Sequence, residues 1–377
     1  MKMAFVSDVV YPFVKGGVEA TEYEEMKTLA KEHEVHVFCM RFSNMKTEFI
    51  SDGIHYHAKI RADKKSFYVK GIRSSKEAAR FALGLREMFK YEFDVVQANA
   101  FPLLHLPLVK LYCKLNKAKL MLDIAEVWDK EHWNKYIGNV KGSIAHVYNS
   151  NVLKGADFYI ANSSVTKEAL LKLGINPNKI TVFTPFLNMK LISNVKVPKK
   201  SKSVIVAGRL IKEKRLDTFI EVMSNVIKDV PDAKGLIIGN GPEKNTLENM
   251  IHAKGLDKKI VMIKPYKEKL ELYKAIKSSS VMLQMSEREG LSEIAIESIA
   301  LGTPVILPDY TPIPKEVRDM CIVADEKEMP RLIAKALNGK GVYKKINKRN
   351  LKRYDIANIN KYYSKIFKDM GIGYLKG

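Results

Sequence analysis

The alternation of short apolar runs with longer helical segments is what most constrains the fold of this chain. "KMAFVS" precedes "VEATEYEEMKTLAKE", where Tyr23, Met26, Leu29 and Ala30 recur at helical spacing. "EVHVFCM", "FDVVQAN", "KLMLDIA", "ADFYIANS" and "KITVFTP" read as further strands, and the apolar "FPLLHLPLVKLYCKL" lies among them. "SVTKEALLKLG" is a short helix with a hydroxyl N-cap and a glycine C-cap. Parallel strands need long crossover connections, and those connections cover both faces of the sheet. The alternation therefore predicts a parallel α/β layer structure.

"NVKVPKKSKS" then breaks the pattern without periodicity and reads as a linker. A second series follows: "SVIVAG", "AKGLIIGNG", "KIVMIK", "SVMLQMS" and "TPVILPD" as strands, with "DTFIEVMSNVIKDV", "EKNTLENMIHAKG" and "EKLELYKAIKSS" as helices between them. The expected division is residues 1–195, residues 196–354, and a closing segment 355–377 with the helix "DIANINKYYSKIFKDMG" packed back on the first domain. Two doubly wound domains facing across a cleft is the architecture this order implies.

Composition narrows the function classes. The 377 residues carry a formal charge of +22, which favours an anionic partner: nucleic acid, a membrane surface or a phosphorylated small molecule. The stretch from Lys59 to Lys90 is strongly basic and contains Phe67, Tyr68, Val69 and Ile72, and "GKGVYKKINKRNLKRY" is basic throughout. No recognisable nucleic-acid motif accompanies them. No Gly-x-Gly-x-x-Gly follows the first strand, which argues against a dinucleotide dehydrogenase. No apolar run is long enough to span a bilayer. The opening "MKMAFVSDVVYPF" reads as a strand rather than a signal peptide. Cys39, Cys113 and Cys321 are odd in number and far apart, which fits a reduced compartment and no metal cluster.

The chemistry concentrates in the second half. "SEREGLSEIAIESIALGTPVI", residues 286–306, holds Glu287, Glu289, Glu293 and Glu297. Their spacing alone reads as a solvated helix face. Their position reads differently. With Ser292 as N-cap and Gly302 as C-cap, the amides of Gly290 to Glu293 form a helix N-terminus, a ready anion site. Glu297 lies one turn further on and Glu289 in the loop before, so the two bracket a ligand at two depths. Glu293 reads as a helix-dipole residue and Glu287 as a loop charge. In "VAGRLIKEKRLDTFI" a strand leads through a loop into a helix, which sets Arg209 and Lys214 at a strand mouth suited to phosphate, or leaves them as a solvated basic loop. Gly239 and Gly241 allow tight turns near the same edge, a weak signal that ordinary βα turns share.

These residues together resemble a known family. "GRLIKEKRLDTFI", "IIGNGPE" and "EGLSEIAIESIALGTPVI", with "VSDVVYPFVKGGVEATEYE" near the start, are similar to the retaining glycosyltransferases of family 4, which have the GT-B fold and a Glu-x7-Glu signature, here Glu289 and Glu297. The resemblance implies sugar transfer from a nucleotide-diphosphate sugar to a glycan or lipid-linked acceptor, with no metal and no other cofactor. It implies that Arg209 and Lys214 stabilise the departing diphosphate, where preorganised positive charge is needed. Glu289 would contact the donor sugar, and Glu297 would hold the ribose hydroxyls. Gly290, Leu291 and Ser292 would meet the phosphates, and Pro265 and Tyr266 would face the base. Gly16, Gly17, Gly208, Gly239, Asn240 and Gly241 complete the implied donor set.

The first half departs from the family pattern. Ala125 stands where a histidine is usual, and Gln97 and Asn99 replace a His-x-His. "TPFLNM" replaces the common Asn-Gly after "ITVF". Glu126 and Trp128 are the acceptor-side candidates, with Asp129 and Trp133 beside them and His132 or His105 as substitutes for the missing histidine. Core filling is the plain alternative for the two tryptophans. The expected location is cytoplasmic, with peripheral contact of the basic first-half stretch on the inner membrane face. Three rivals stay open: another enzyme of the same fold, such as a nucleotide-sugar epimerase or a phosphorylase; a non-catalytic accessory subunit; and a basic nucleic-acid-binding protein.

Overall fold

A computed structural model of the chain describes all residues except 15, 43–44, 64–66, 70–71, 198–200, 288, 342–348 and 373–377. Much of the basic C-terminal stretch and part of the linker thus lie outside the described residues. The chain divides into two units, residues 1–186 with 353–377, and residues 187–352. The boundary expected at 195 falls earlier because the helix Met189–Asn194 joins the second unit, where Lys277 Nζ donates to the Val195 carbonyl at 2.6 Å. At the boundary of the first unit, the Phe186 N–H donates to the Tyr354 carbonyl at 2.9 Å, so the outgoing and returning strands of chain run side by side.

The first unit holds β1 (Lys2–Val6), β2 (Glu34–Phe38), β3 (Glu48–Ser51), β4 (Ile54–His57), β5 (Tyr68–Val69), β6 (Ile72–Arg73), β7 (Val95–Asn99), β8 (Lys119–Ile124), β9 (Phe158–Ala161) and β10 (Ile180–Val182). Eight of them form one sheet in the order β10-β9-β8-β7-β1-β2-β4-β3, and β5 pairs with β6 as a small separate ribbon. The large sheet is not wholly parallel, as the alternation implied: β3 runs antiparallel to β4. Asp52 and Gly53, both at positive φ (50° and 78°), make the two-residue turn that joins them. Met3, Phe5 and Val37 face one core, and Ala4, Val6 and Phe38 face the other. The first core is closed by the helices Gly17–Leu29 and Ile359–Asp369. The second is closed by Ser75–Gly84, Leu106–Asn116, Asn139–Val152 and Ser164–Lys172.

The second unit holds β11 (Ser201–Arg209), β12 (Lys234–Asn240), β13 (Ile260–Ile263), β14 (Ser279–Leu283), β15 (Val305–Pro308) and β16 (Ile322–Ala324). All pairs are parallel, in the order β13-β12-β11-β14-β15-β16. Counted from β11 this is 3-2-1-4-5-6, the doubly wound order whose direction reverses between its first and fourth strands. The helix Leu216–Asp229 shows how sequence drives the packing: Leu216, Phe219, Ile220, Met223 and Val226 fall on one stripe and are buried, while Asp217, Glu221 and Asp229 face water. Among the described residues no helix is long and apolar enough to cross a membrane.

Candidate functional site

At the reversal point of the second sheet lies a cavity with ≈ 300 Å³ of empty space. Gly208, Arg209 and Lys214 line it from the β11 side, and Gln284, Met285 and Ser286 from the β14 side. Open α/β sheets bind ligands here, because strand ends diverge and leave backbone groups facing outward. The neighbouring backbone is tight. A Cβ on Gly239 would collide with the Gly208 carbonyl, and one on Gly241 with the Leu210 backbone, so both positions require glycine. Asn240 pairs in register with Arg209, and its carbonyl accepts from the Leu210 N–H at 3.0 Å. The Arg209 guanidinium is exposed and has no hydrogen-bond or ion-pair partner among the described residues.

Glu289 is held by three donors. The Lys214 ammonium, Gln284 Nε2 and Ser286 Oγ (2.7 Å) all reach its Oε1. Among the described residues no donor reaches Oε2. The carboxylate is thus fixed in direction and carries one oxygen with open acceptor capacity. Beside it, Glu287 pairs with Arg215 at 2.7 Å, and its N–H donates to the Glu213 carbonyl at 2.9 Å. The expected loop charge is therefore the clasp that ties this loop to the turn carrying Lys214.

The next residues open the helix Glu293–Ala300. Ser292 does not cap it as expected. It sits at φ 64°, ψ 68°, a left-handed conformation unusual for serine, and its side chain accepts no cap bond. Its Oγ is buried without a partner. A left-handed residue with a buried hydroxyl thus opens this helix, at the end where backbone N–H groups are free of intrahelical partners. At the other end, Gly302 stands at φ 81° and the Thr303 N–H reaches the Ser298 carbonyl at 2.9 Å, a Schellman closure. Glu297 is buried on the helix. Tyr273 donates to it at 3.0 Å and Lys269 pairs with it at 2.6 Å. Burial, together with the Glu297 charge, holds the Tyr273 phenol above its ordinary pKa, so it remains a donor. Exposed Pro265 and half-buried Tyr266 occupy the connection between β13 and the helix that carries Lys269 and Tyr273. Gly16 and Gly17 belong to the first unit, where extended Gly16 precedes the helix Gly17–Leu29.

Comparison with known proteins agrees with this geometry. Residues 15–190 match the model described as Glycosyltransferase Family 4, and residues 189–353 match Glycosyl transferases group 1. Over both halves, the chain resembles the family 4 glycosyltransferases. It is 28% identical over 140 residues to an uncharacterized glycosyltransferase of Haemophilus influenzae, a match spanning 37% of this chain and 38% of that protein. It is 25% identical over 134 residues to the N-acetyl-alpha-D-glucosaminyl L-malate synthase of Bacillus anthracis, 34% of each chain. The matches thus span little more than a third of these curated relatives. In solved structures, the fold is similar to that of Anabaena HepE in complex with UDP, with a TM-score of 0.73 at 14% identity over 98% of this chain and 100% of that one. The architecture is GT-B.

The first unit holds the residues where the chain departs from the family pattern. Glu126 accepts from Trp128 Nε1 at 2.8 Å, and half-buried Trp128 packs against Trp133 and Tyr136 at 4.8 Å and Phe101 at 5.9 Å between ring centres. Trp133 is buried in the core. Asp129 caps the helix Lys130–Ile137 and pairs with His132 at 2.8 Å. His105 is wholly buried, bonded to the Asn99 carbonyl at 2.9 Å, and burial pushes it down to about 4. It is a core histidine and cannot replace the one missing at Ala125. Gln97 and Asn99 belong to a buried network: Asn99 donates to Glu22 at 2.8 Å, Gln97 Nε2 lies 3.4 Å from both Glu25 and Asp123, and the Tyr363 hydroxyl lies 2.9 Å from Glu25 and 2.8 Å from Gln97 Oε1.

Several residues of the site escaped sequence reasoning. Gln284 and Ser286 position Glu289 from the end of β14, and their i, i+2 spacing is the only local sign that they share a side. Lys269 and Tyr273 are one helical turn apart, a pairing that spacing alone would have suggested.

Proposed function

We propose that the protein is a retaining glycosyltransferase that moves a sugar from a nucleotide-diphosphate sugar to an acceptor hydroxyl of a glycan or lipid-linked glycan. The observation that supports this reading most strongly is the fixed Lys214–Glu289 pair, with exposed Arg209 lining the same cavity at the sheet's reversal point. When the bond from the anomeric carbon to the phosphate oxygen breaks, its electron pair goes to the diphosphate. Arg209 and Lys214 place positive charge there in advance, without a metal. The helix N-terminus at Gly290 to Ser292 supplies amides for the same charge. Glu289, with Oε1 clamped, presents Oε2 to the hydroxyls of the donor sugar. Glu297 holds the ribose, with Lys269 and Tyr273 orienting its carboxylate. Pro265 and Tyr266 face the base, and Gly16 and Gly17 are the donor residues proposed in the first unit. The acceptor side is assigned to Glu126 and Trp128.

Thermal-shift titration with UDP and with UDP-, GDP- and ADP-sugars tests the donor site, beginning with the uridine compounds because HepE was solved with UDP. Stabilisation of the wild type that is lost in Glu297→Ala and weakened in Glu297→Gln is expected. Equal stabilisation of all three proteins would sink the ribose assignment. Proton NMR of the product with a transferred sugar reads the anomeric configuration, and an inverted product would refute retention. A second reading, a donor-binding subunit without turnover, is favoured by Ala125 and by the burial of Gln97. It predicts donor binding with neither transfer nor donor hydrolysis.

A further inference from the structure

The basic stretch from Lys59 to Lys90 was the expected membrane face; of its apolar residues Phe67, Phe81, Leu85 and Met88 are buried, and Leu83 and Phe89 are exposed. A longer run of exposed apolar residues lies elsewhere in the same unit. On the helix Asn139–Val152, Gly142, Asn149 and Val152 face inward. Val140, Ile144 and Val147, spaced by four and three residues, form a stripe that is 74%, 67% and 61% exposed. The neighbouring helix Leu106–Asn116 adds Leu111 and Leu115, 47% and 64% exposed. Lys110 ties the two helices together by donating to the carbonyls of Val152 and Lys154. Both helices belong to the layer that covers one face of the large sheet, with their buried residues in a common core.

A water-exposed stripe of branched aliphatics is unfavourable unless something covers it. Charge says what does. From residue 95 to 122 and from 132 to 156 the chain has no Asp or Glu, while Lys110, Lys114, Lys117, Lys135, Lys141 and Lys154 fall within those spans. Acid-free sequence around exposed aliphatics is ill suited to a second copy of this chain, because like charges would then meet across a self-complementary contact. It suits a bilayer with anionic headgroups, where aliphatics enter the headgroup–acyl boundary and lysines meet the phosphates.

We propose that the outer face of the helices Asn139–Val152 and Leu106–Asn116 docks on an anionic lipid surface, with Val140, Ile144 and Val147 inserted and Lys114, Lys117 and Lys141 on the headgroups. The surface sits on the unit to which the acceptor is assigned, so an acceptor carried by a lipid would be held close by. This placement rests on the transfer reading; the lipid binding does not.

Sedimentation with vesicles of phosphatidylglycerol and phosphatidylcholine, against phosphatidylcholine alone, tests the surface without any turnover. At 50 mM salt the full-length wild type is expected to bind the anionic vesicles and to be released as salt rises, because headgroup attraction is screened within about 10 Å at 0.1 M. The triple variant Val140→Ser/Ile144→Ser/Val147→Ser should bind at least about 10-fold more weakly, since each lost aliphatic removes several methylene groups from the inserted face. Its melting temperature should match the wild type, because the three side chains make up an exposed stripe. Lys114→Glu/Lys117→Glu/Lys141→Glu should bind anionic vesicles no better than neutral ones. Absence of binding at low salt, equal binding by the triple serine variant, or a lipid-free dimer that the serine variant dissociates would each overturn the proposal. Loss of sugar transfer with intact vesicle binding would count against the transfer reading alone.

Discussion

Replacing Glu25 with glutamine is expected to flatten the alkaline arm of the stability curve. Burial pushes the Glu25 carboxyl up to about 8 and the Asp123 carboxyl up to about 7, with Asp123 adding to the rise at Glu25. Both values lie above those of the unfolded chain. The stabilisation from keeping these groups protonated is therefore complete below the unfolded carboxylate pKa and is lost as pH rises through about 7 and then 8. The geometry sets the size of the effect. Glu25 Oε2 and Asp123 Oδ2 each lie 3.4 Å from the same Gln97 nitrogen, so the two charges are at most about 7 Å apart. At an effective permittivity of about 20, unit charges at that separation repel by roughly 2 kcal/mol, about one and a half pKa units. Glutamine keeps the shape and still accepts from the Tyr363 hydroxyl, but cannot ionise. Urea unfolding of wild type and Glu25→Gln at pH 6 and pH 9 isolates the difference, because only Glu25 and the groups coupled to it, such as Asp123, titrate differently in the two. The variant should lose about 2 kcal/mol less than the wild type across that interval. Parallel losses would show that Glu25 and Asp123 do not charge together inside the folded core.

Three further outcomes follow from the same geometry. Lys214→Ala should weaken nucleoside-diphosphate binding at least about 10-fold by calorimetry, since it removes a charge and exposes the phosphates to Glu289; adding Glu289→Gln should restore part of that loss. Gly239→Ala should destabilise the protein by about 1–3 kcal/mol in urea, because the new methyl meets the Gly208 backbone rather than a movable side chain. His105 is depressed to about 4, so its neutral form contributes stability that is complete above the unfolded value and is lost as pH falls from about 6.5 toward 4. His105→Gln should lose about 2–3 kcal/mol less than wild type over that range; identical acid limbs would refute the assignment.

Much of the second unit was legible in the sequence because its strands are buried on both faces and its helices carry narrow apolar stripes. Each local pattern there admits one packing. Glu289 and Glu297 could be singled out because a βα junction fixes where a helix N-terminus lies. Ser292 was misread because serine before a helix ordinarily caps it, and only the backbone shows a positive φ. Gln284 was missed because its role depends on register between separate elements, and the Lys269–Tyr273 pair, though local, did not show that its partner Glu297 lies on another helix. In the first unit the β3–β4 hairpin is legible in "SDGI", a two-residue turn signal between short strands that the surrounding βα alternation obscures. His105 and Trp133 could not be separated from site residues by type alone: both are polar aromatics, and burial decides between core and cleft. The exposed stripe on Asn139–Val152 was equally hidden, since Val and Ile at helical spacing read as core until the opposite face proves to be the buried one.

The hydrogen bond from Phe186 to Tyr354 has a consequence for how the chain can be taken apart. The second unit leaves and re-enters the first at neighbouring points, as an insertion does. Its 166-residue excursion from Leu187 to Lys352 could be replaced by a few glycines and serines without stretching the first unit, whose last helix would remain covalently attached. On the proposed donor and acceptor assignments, a chimera with the second unit of another GT-B glycosyltransferase spliced at these points is expected to exchange donor preference while the first unit's surfaces stay unchanged.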